Sequence, residues 1–333
     1  MKKWAALIFV FFITNCFSQT NISPQFSELK RMEDQQGNTH LLYRIYLYQP
    51  GGPLGDYYEN SIYHFDLESE ADTLFLFEGG RIGDQVIRII DVGYWNNNPA
   101  EFIYIGEGIS VDPVAFIQRF DTPDPTFSEL GEAFGLELGR ENDSLVIASA
   151  PYLVKSTDGG FNWTVFMGTF GYLKIISISP FNDNVIFFKA ENNLFKTTDG
   201  GMSITIVDTS HLGNRFFYDP DLVHIYSLGN NDLLISDYYG NAFSWSNRYS
   251  SSNSIYISAD YSQPGKIYLA DGRKIYVTVN YGITFNEYKV LDRGIVGIYK
   301  KPNSNKLYTA TKYKIYEITP DIIQVINPTS TQL

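Results

Sequence analysis

The sequence has 333 residues and a formal net charge of −12, and 44% of the residues are hydrophobic and 16% aromatic. The acidic balance argues against nucleic acids and anionic surfaces as partners, because those surfaces attract basic proteins. After the first residues no run of 18 apolar residues occurs, so no further membrane-spanning helix is predicted.

Residues 1–18 have the features of an export signal. Lys2 and Lys3 form a positive start, and the apolar run over residues 5–13 is too short to span a bilayer and remain there. Small residues precede a cleavage point that would leave Gln19 as the first residue of the mature chain. We therefore predict a secreted or cell-surface protein with no transmembrane segment after removal of the signal.

The single cysteine, Cys16, lies inside this predicted signal. It would suit a lipid anchor, but Asn15 is a poor match for the small residue that lipidation motifs require at that place, so plain secretion is favoured. The mature chain would then contain no cysteine, and we expect no disulfide bond to stabilise it.

Short stretches rich in β-branched and aromatic residues follow one another from residue 39 onward, separated by turn residues. No stretch shows a convincing helical period, so we predict an all-β chain. In the first part of the chain the predicted strands cover residues 39–48, 60–67, 73–77, 85–92, 101–105 and 114–120.

From about residue 133 the strands follow a regular order. Each unit has a first strand, a turn rich in Asn, Asp, Pro or Gly, a second strand, a very short turn and a third strand. Counting third strands along the whole chain predicts seven units. The residues that mark these strands are Tyr63, Phe116, Leu153, Leu194, Leu233, Ile275 and Ile315.

Directly after one third strand, residues 156–163 read Ser-Thr-Asp-Gly-Gly-Phe-Asn-Trp. This stretch resembles the Asp-box, or BNR repeat, of sialidases, sortilins and related β-propellers, and Asn162 is its only departure from that pattern. The resemblance implies a tight turn between two strands. Its aspartate would accept hydrogen bonds from turn N–H groups, a glycine would adopt positive φ, and the tryptophan would cover the turn.

Three weaker copies begin at Thr197, Ser236 and Thr278, so successive copies are 41, 39 and 42 residues apart. The copy at Ser236 keeps the first serine, the glycine and a closing aromatic residue, Phe243 in this alignment. We expect the box residues to be structural. They are Ser156, Asp158, Gly160, Trp163, Thr197, Asp199, Gly201, Ser236, Gly240, Thr278, Asn280 and Gly282.

A repeat of roughly 40–45 residues with four short strands per unit is typical of a β-propeller. We predict such a propeller over residues 39–327, with seven four-stranded blades favoured and six or eight left open. Residues 19–38 would form an N-terminal segment and residues 328–333 a tail. Residues 321–327 would be either the outer strand of the last blade or a strand that pairs with N-terminal strands to close the ring.

Residues 49–58 form the stretch in which we predict ligand contact. Their prolines and glycines are expected to keep them out of the sheet as a loop. Two tyrosines would offer ring faces to a sugar or a peptide, and two acids would offer hydrogen-bond acceptors. The candidate residues are Asp56, Tyr57, Tyr58 and Glu59.

Two kinds of enzyme deserve comparison with the pattern. Sialidases of the family that this repeat resembles have a Phe-Arg-Ile-Pro motif early in the chain. The nearest match in this sequence is Arg81 followed by an isoleucine, so a sialidase is not predicted. Glycoside hydrolases of the xyloglucanase type also resemble this fold and use two carboxylates. Asp91, Glu107 and Asp112 are the acids considered for that role, although each also fits a solvated turn residue.

We assign no catalytic residue, no metal site and no cofactor, since the four histidines show no ligand spacing. The leading hypothesis is a secreted, monomeric, non-catalytic propeller that binds a protein or glycan ligand. An extracellular polysaccharide hydrolase of the xyloglucanase type remains the alternative.

Overall fold

The computed structural model describes the strands between Gln25 and Leu138 as backbone and, from residue 145 to Ile326, most side chains as well. The predicted signal and tail lie outside the described residues. Within the second part, the residues outside the description are 150–152, 159–161, 168–172, 191–192, 209–212, 214, 230 and 302.

The described strands form seven four-stranded antiparallel sheets, numbered 1 to 7 in chain order. Sheets 1 and 2 contain β1 (Gln25–Glu33), β2 (Thr39–Gly52), β3 (Gly55–Asp66), β4 (Ala71–Arg81), β5 (Val86–Tyr94), β6 (Phe102–Ile109), β7 (Val114–Arg119) and β8 (Ser128–Glu129). Sheets 3 and 4 contain β9 (Gly135–Leu138), β10 (Val146–Ser149), β11 (Leu153–Ser156), β12 (Thr164–Met167), β13 (Leu173–Ser179), β14 (Asn182–Ala190), β15 (Asn193–Thr197) and β16 (Thr205–Asp208).

The remaining three sheets continue the same order. Sheet 5 contains β17 (Arg215–Tyr218), β18 (Ile225–Leu228), β19 (Asp232–Ser236) and β20 (Trp245–Ser250). Sheets 6 and 7 contain β21 (Ile255–Ala259), β22 (Ile267–Asp271), β23 (Lys274–Thr278), β24 (Asn286–Val290), β25 (Ile295–Lys300), β26 (Leu307–Thr311), β27 (Ile315–Ile318) and β28 (Ile323–Ile326).

The sheets are arranged in a ring. Each is built from four consecutive strands, and the first strands of successive sheets lie beside one another. The first strand of sheet 7, β25, contacts β1 of sheet 1, which closes the ring. The prediction of an all-β propeller is confirmed, and the described residues form the number of sheets that the repeat spacing favoured.

The strand order predicted from the sequence is largely present. All seven markers, from Tyr63 to Ile315, lie in the third strand of a sheet. Sheet 1 begins earlier than residue 39, because β1 pairs with β2 although it lies in the predicted N-terminal segment. β28 pairs with β27 as the outer strand of sheet 7, so the alternative of pairing with N-terminal strands is wrong.

The hydrophobic core of the described side chains lies between neighbouring sheets. Four buried clusters each combine residues from two adjacent sheets, from sheets 3 and 4 through to sheets 6 and 7. Phe187 and Phe188 are both fully buried, and they belong to clusters on opposite sides of sheet 4. Such burial follows from the strand period of two, since neighbouring side chains point to opposite faces.

The loop predicted at residues 49–58 is wrong, because β2 and β3 continue as a hairpin. Gln49 pairs with Tyr57, and Gly52 pairs with Gly55 at its tip. The register shifts between Gln49 and Gly52, where Pro50 lies. A proline that lacks an N–H group is tolerated at such a bulge, so it did not end the strand.

The two faces of the ring carry different connections. Because neighbouring strands are antiparallel, the turns after first and third strands lie at one face, and the turns after second strands lie at the other. We call the first of these the box face, since it carries the four box turns. Within the residues that the structure describes, nothing forms a helix long and apolar enough to cross a membrane.

Candidate functional site

The box turn of sheet 4 shows how these turns are closed. The carboxylate of Asp199 accepts hydrogen bonds from the Thr197 hydroxyl at 2.8 Å and from the Ser203 N–H at 2.8 Å. The Thr197 hydroxyl oxygen in turn accepts the N–H of Gly201 at 2.9 Å, and Gly201 has a φ of 101°. The hydrogen bonds from Ser203, then that from Thr197, lower the pKa of Asp199 to about 2.

The turns of sheets 3 and 6 use the same contacts. Asp158 accepts hydrogen bonds from the Ser156 hydroxyl at 2.7 Å and from the Asn162 N–H at 2.9 Å. Asn162, the departure from the resembled pattern, also donates its amide N–H to Asp158. Asn280 accepts the Thr278 hydroxyl at 2.8 Å in the same way. Gly160 lies outside the described residues.

The box turn of sheet 5 differs from the others. Thr164, Thr205 and Ser246 are equivalent, because each pairs with the residue that precedes the first residue of its box. The closing residue of a box comes directly before this position. In sheet 5 it is therefore Trp245 rather than Phe243. The assignment of Phe243 as the closing residue is therefore wrong. In the other turns one residue separates the box glycine from the next residue with a hydroxyl or amide side chain. In sheet 5 three residues, Asn241, Ala242 and Phe243, lie between Gly240 and Ser244, so this turn is two residues longer. Insertions within single repeats are often found at binding faces.

The insertion adds Phe243 to an exposed group of side chains that we call the aromatic corner, formed by Leu222, Tyr238, Tyr239 and Phe243. Their exposed fractions are 51%, 59%, 44% and 102%. The rings of Tyr238 and Tyr239 meet edge to face at 5.2 Å. Leu222 lies in the turn between β17 and β18. The Tyr239 N–H donates a 2.7 Å hydrogen bond to the carbonyl of Val223 in that turn, so the two turns are adjacent.

Three of the corner residues have left-handed backbone conformations. Leu222, Tyr239 and Phe243 have φ values of 63°, 52° and 62°. Such a conformation costs an L-residue roughly 1–2 kcal/mol, and glycine would avoid that cost. At Tyr239 this conformation belongs to the box turn, because Gly200 and Tyr281 at the same position have φ values of 68° and 55°, whereas Phe243 lies within the insertion. Strained residues cluster at functional sites.

The corner is fixed to sheet 4. Lys196 donates a hydrogen bond from Nζ to the Tyr239 carbonyl at 2.6 Å, and burial lowers the pKa of its ammonium group. A Cβ atom added at Gly240 would lie 2.7 Å from Cζ of Phe187, so the turn backbone rests directly on that ring. The rings of the corner are therefore presented on a rigid support.

The ionisable side chains beside the corner form pairs. Arg248 donates from Nη2 to both oxygens of Asp237, at 3.0 and 3.2 Å. Nδ1 of His224 lies 2.6 Å from the carboxylate of Asp221. Burial alone would raise the pKa of Asp221, but hydrogen bonds from the His224 backbone and ring lower it overall.

Two buried aspartates connect neighbouring sheets. Asp219 accepts hydrogen bonds from the Tyr226 hydroxyl and from the Gly265 N–H, and burial raises its pKa. The carboxylate of Asp260 lies 3.5 Å from Nζ of Lys300, which is also buried. Both acids hold turns together and are closed to solvent, so they are not placed to exchange protons with a substrate.

Other described acids are engaged in local contacts as well. The pairs are Asp271 with Tyr249, Glu287 with Lys274, Asp292 with Tyr316, and Glu317 with Tyr308. Among the side chains that the structure describes, no group of three His, Cys, Asp or Glu residues is arranged to hold a metal ion.

The residues predicted from the sequence as ligand contacts lie elsewhere. Asp56, Tyr57, Tyr58 and Glu59 belong to β3, near the hairpin with β2. This hairpin follows a second strand, so it lies at the face opposite the box face. Their side chains lie outside the described part, and the assignment stays a prediction. The aromatic corner was missed because its turn read as a decayed copy of the box.

The structure resembles two solved glycoside hydrolases of the GH74 family. The GH74 enzyme of Niastella koreensis matches with a TM-score of 0.61 and 14% identity over 91% of this chain. The GH74 xyloglucanase from Xanthomonas campestris matches with a TM-score of 0.58 and 12% identity over 89%. The likeness shows a shared β-propeller fold.

This chain spans about half of the length of those two structures, 53% and 52% respectively. No protein-family model matches the chain, and no match was found among curated proteins.

Proposed function

We propose that this chain is a secreted, non-catalytic β-propeller that binds a protein or glycan ligand through exposed turns. The observation that supports this most is the aromatic corner, where a turn lengthened by two residues presents Tyr238 and Phe243 to solvent. In a propeller the strands use their hydrogen bonds within sheets and their side chains between sheets, so turns are free for contact.

The alternative is an extracellular hydrolase of the xyloglucanase type, because both similar structures are GH74 enzymes and one of them is named a xyloglucanase. Such an enzyme needs two carboxylates roughly 5–10 Å apart on either side of a cleft. Of the acids considered from the sequence, Asp91 and Glu107 lie in β5 and β6 rather than in loops, with side chains outside the description. Asp112 lies outside the described residues.

A combined binding and turnover screen tests the proposal. Purified chain is incubated with soluble polysaccharides and with extracellular matrix proteins, and bound fraction and released reducing ends are measured in the same samples. We expect saturable binding of one ligand class without new reducing ends. Steady release of reducing ends would instead support the hydrolase.

The screen also compares the two faces of the ring. Replacing Tyr57 and Tyr58 by alanine changes the hairpin predicted from the sequence, and replacing Tyr238 and Phe243 changes the aromatic corner. Loss of binding with an unchanged melting temperature assigns the ligand to the face that carries the substitution.

A further inference from the structure

We propose that the aromatic corner is a binding subsite for a neutral polysaccharide. This inference rests on the proposed binding function and names its ligand class and its place. A sugar ring has an apolar C–H face and hydroxyl groups around its edge. Tyr238, Tyr239 and Phe243 offer the large apolar surfaces that such a face can cover, and each tyrosine adds a polar edge.

The polar groups around the rings complement hydroxyl groups. Asp237 remains half exposed while it accepts both hydrogen bonds from Arg248, so its oxygens keep free lone pairs towards solvent. Asn241 lies within the insertion itself, and its side-chain oxygen is already held at 3.3 Å by Lys196. Carboxylate and amide groups in fixed positions can accept and donate hydrogen bonds to sugar hydroxyls without moving.

Charge favours a neutral polymer over an anionic one. The chain carries a net charge of −12, which disfavours polymers of uronic acids or sulfated sugars. The cations at the corner are also engaged, since Arg248 pairs with Asp237 and Lys196 is buried against the Tyr239 carbonyl. No free cation among the described corner residues is therefore available to bind a carboxylate or sulfate.

Rigidity supports the same assignment. The turn is closed by the Ser236 hydroxyl, which accepts the Gly240 N–H at 2.8 Å, and it is fixed to sheet 4 through Phe187 and Lys196. A pre-ordered surface loses little conformational freedom on binding.

The test is affinity electrophoresis of the purified chain in gels that contain one polysaccharide each. Xyloglucan, mixed-linkage β-glucan and galactomannan serve as neutral probes, and polygalacturonate serves as the anionic probe. We expect retardation by at least one neutral probe and none by polygalacturonate. The double variant Tyr238→Ala/Phe243→Ala should lose affinity by about tenfold or more, with an unchanged melting temperature.

Two further variants are controls. Ile283→Ala removes an exposed side chain from the next box turn, outside the corner, and should keep wild-type affinity. Tyr238→Phe keeps the ring and should keep most of the affinity. These two controls separate loss of the corner from loss of any apolar side chain on the box face.

Other outcomes overturn the inference. Wild-type affinity in the double variant would place the glycan elsewhere and leave the proposed binding function intact. Retardation by polygalacturonate alone, or by no probe, would exclude a neutral polysaccharide. If the wild-type chain forms a dimer in sedimentation, the double variant is monomeric and neither binds a glycan, the occupant of the corner is a second copy of the chain. Hydrolysis of a probe would instead remove the proposed function.

Discussion

The imidazole ring of His224 in sheet 5 stacks on the phenol ring of Tyr281 in sheet 6, with centroids 3.8 Å apart and planes inclined by 22°. Tyr281 occupies the same box position as Tyr239, and both have left-handed backbones, with φ values of 55° and 52°. The Tyr281 ring stacks on an aromatic ring of the neighbouring sheet, whereas the Tyr239 ring is 44% exposed and has Nζ of Lys196 5.9 Å from its centroid. The same position therefore stacks a ring between sheets in one turn and leaves a ring partly exposed in the other.

Replacing Tyr281 by alanine should lower the free energy of unfolding by about 1–3 kcal/mol, because the stacked contact between sheets is lost. Tyr239→Ala is the matched control, since it changes the equivalent position, where the ring is 44% exposed and lies 5.9 Å from Nζ of Lys196 instead of stacking on an aromatic ring of the next sheet, and it should change stability by less. Urea unfolding of both variants measures the difference. Equal losses would show that the stacking in sheet 6 contributes no extra stability.

Acid should weaken the box turn of sheet 4. Hydrogen bonds from Ser203 and Thr197 hold the pKa of Asp199 at about 2, below the ordinary value of 3.8. A carboxyl group whose pKa is lower in the folded chain contributes stability above the unfolded pKa. That contribution is lost as the pH falls from 3.8 through about 2.

The variant Asp199→Asn reproduces the turn of sheet 6, where Asn280 accepts the Thr284 N–H at 3.0 Å and donates to the Thr284 hydroxyl at 3.0 Å. It should fold at neutral pH and lose less stability than the wild type below pH 4. Urea midpoints at neutral pH and at about pH 3 measure this difference. If the wild type and the variant lose the same stability between neutral pH and about pH 3, Asp199 is not the responsible group.

Gly240→Ala should be destabilising by about 2 kcal/mol or more, since the new Cβ atom would meet Phe187 at 2.7 Å and φ is +65°. Gly294→Ala is the control, because a Cβ atom there would have no neighbour within 4 Å. Thermal melting of the two variants makes the comparison. A Gly240→Ala variant that melts like the control would mean that the turn does not rest on sheet 4.

Lys196→Met should cost about 1–3 kcal/mol, because the carbonyl of Tyr239 loses a charged hydrogen-bond donor. Lys274→Met removes an exposed partner of Glu287 and should change stability less, because solvent screens exposed ion pairs. Equilibrium unfolding of both variants compares a buried lysine with an exposed one. Similar effects would mean that Lys196 does not fix the corner.

The repeat made most of the fold predictable. Each box turn follows a third strand directly, so the box at Ser156 and its copies set the order of strands around them. β1 was missed because its sequence, QFSELKRME, mixes charges into the apolar alternation. The hairpin at Gly52 and Gly55 was missed because proline and glycine predict a loop when pairing partners are unknown.

The candidate site was less predictable than the fold. Tyr238 stands where the box pattern has an aspartate, and Phe243 stands at the position of the closing aromatic residue. In the sequence alone this looks like decay of a repeat. Strand pairing reveals the insertion, because it identifies Trp245 as the residue that packs edge-on against Phe216 at 6.2 Å. Exposure and backbone conformation, which distinguish the corner, are properties of the folded chain.

The most direct test of binding without catalysis is the molar mass of a bound polysaccharide before and after prolonged incubation with the purified chain. Light scattering coupled to size-exclusion chromatography detects even rare cuts within a long polymer. We predict that xyloglucan and every other polysaccharide that binds keep their molar mass. A fall in molar mass that depends on the concentration of the purified chain would contradict the account and identify a hydrolase.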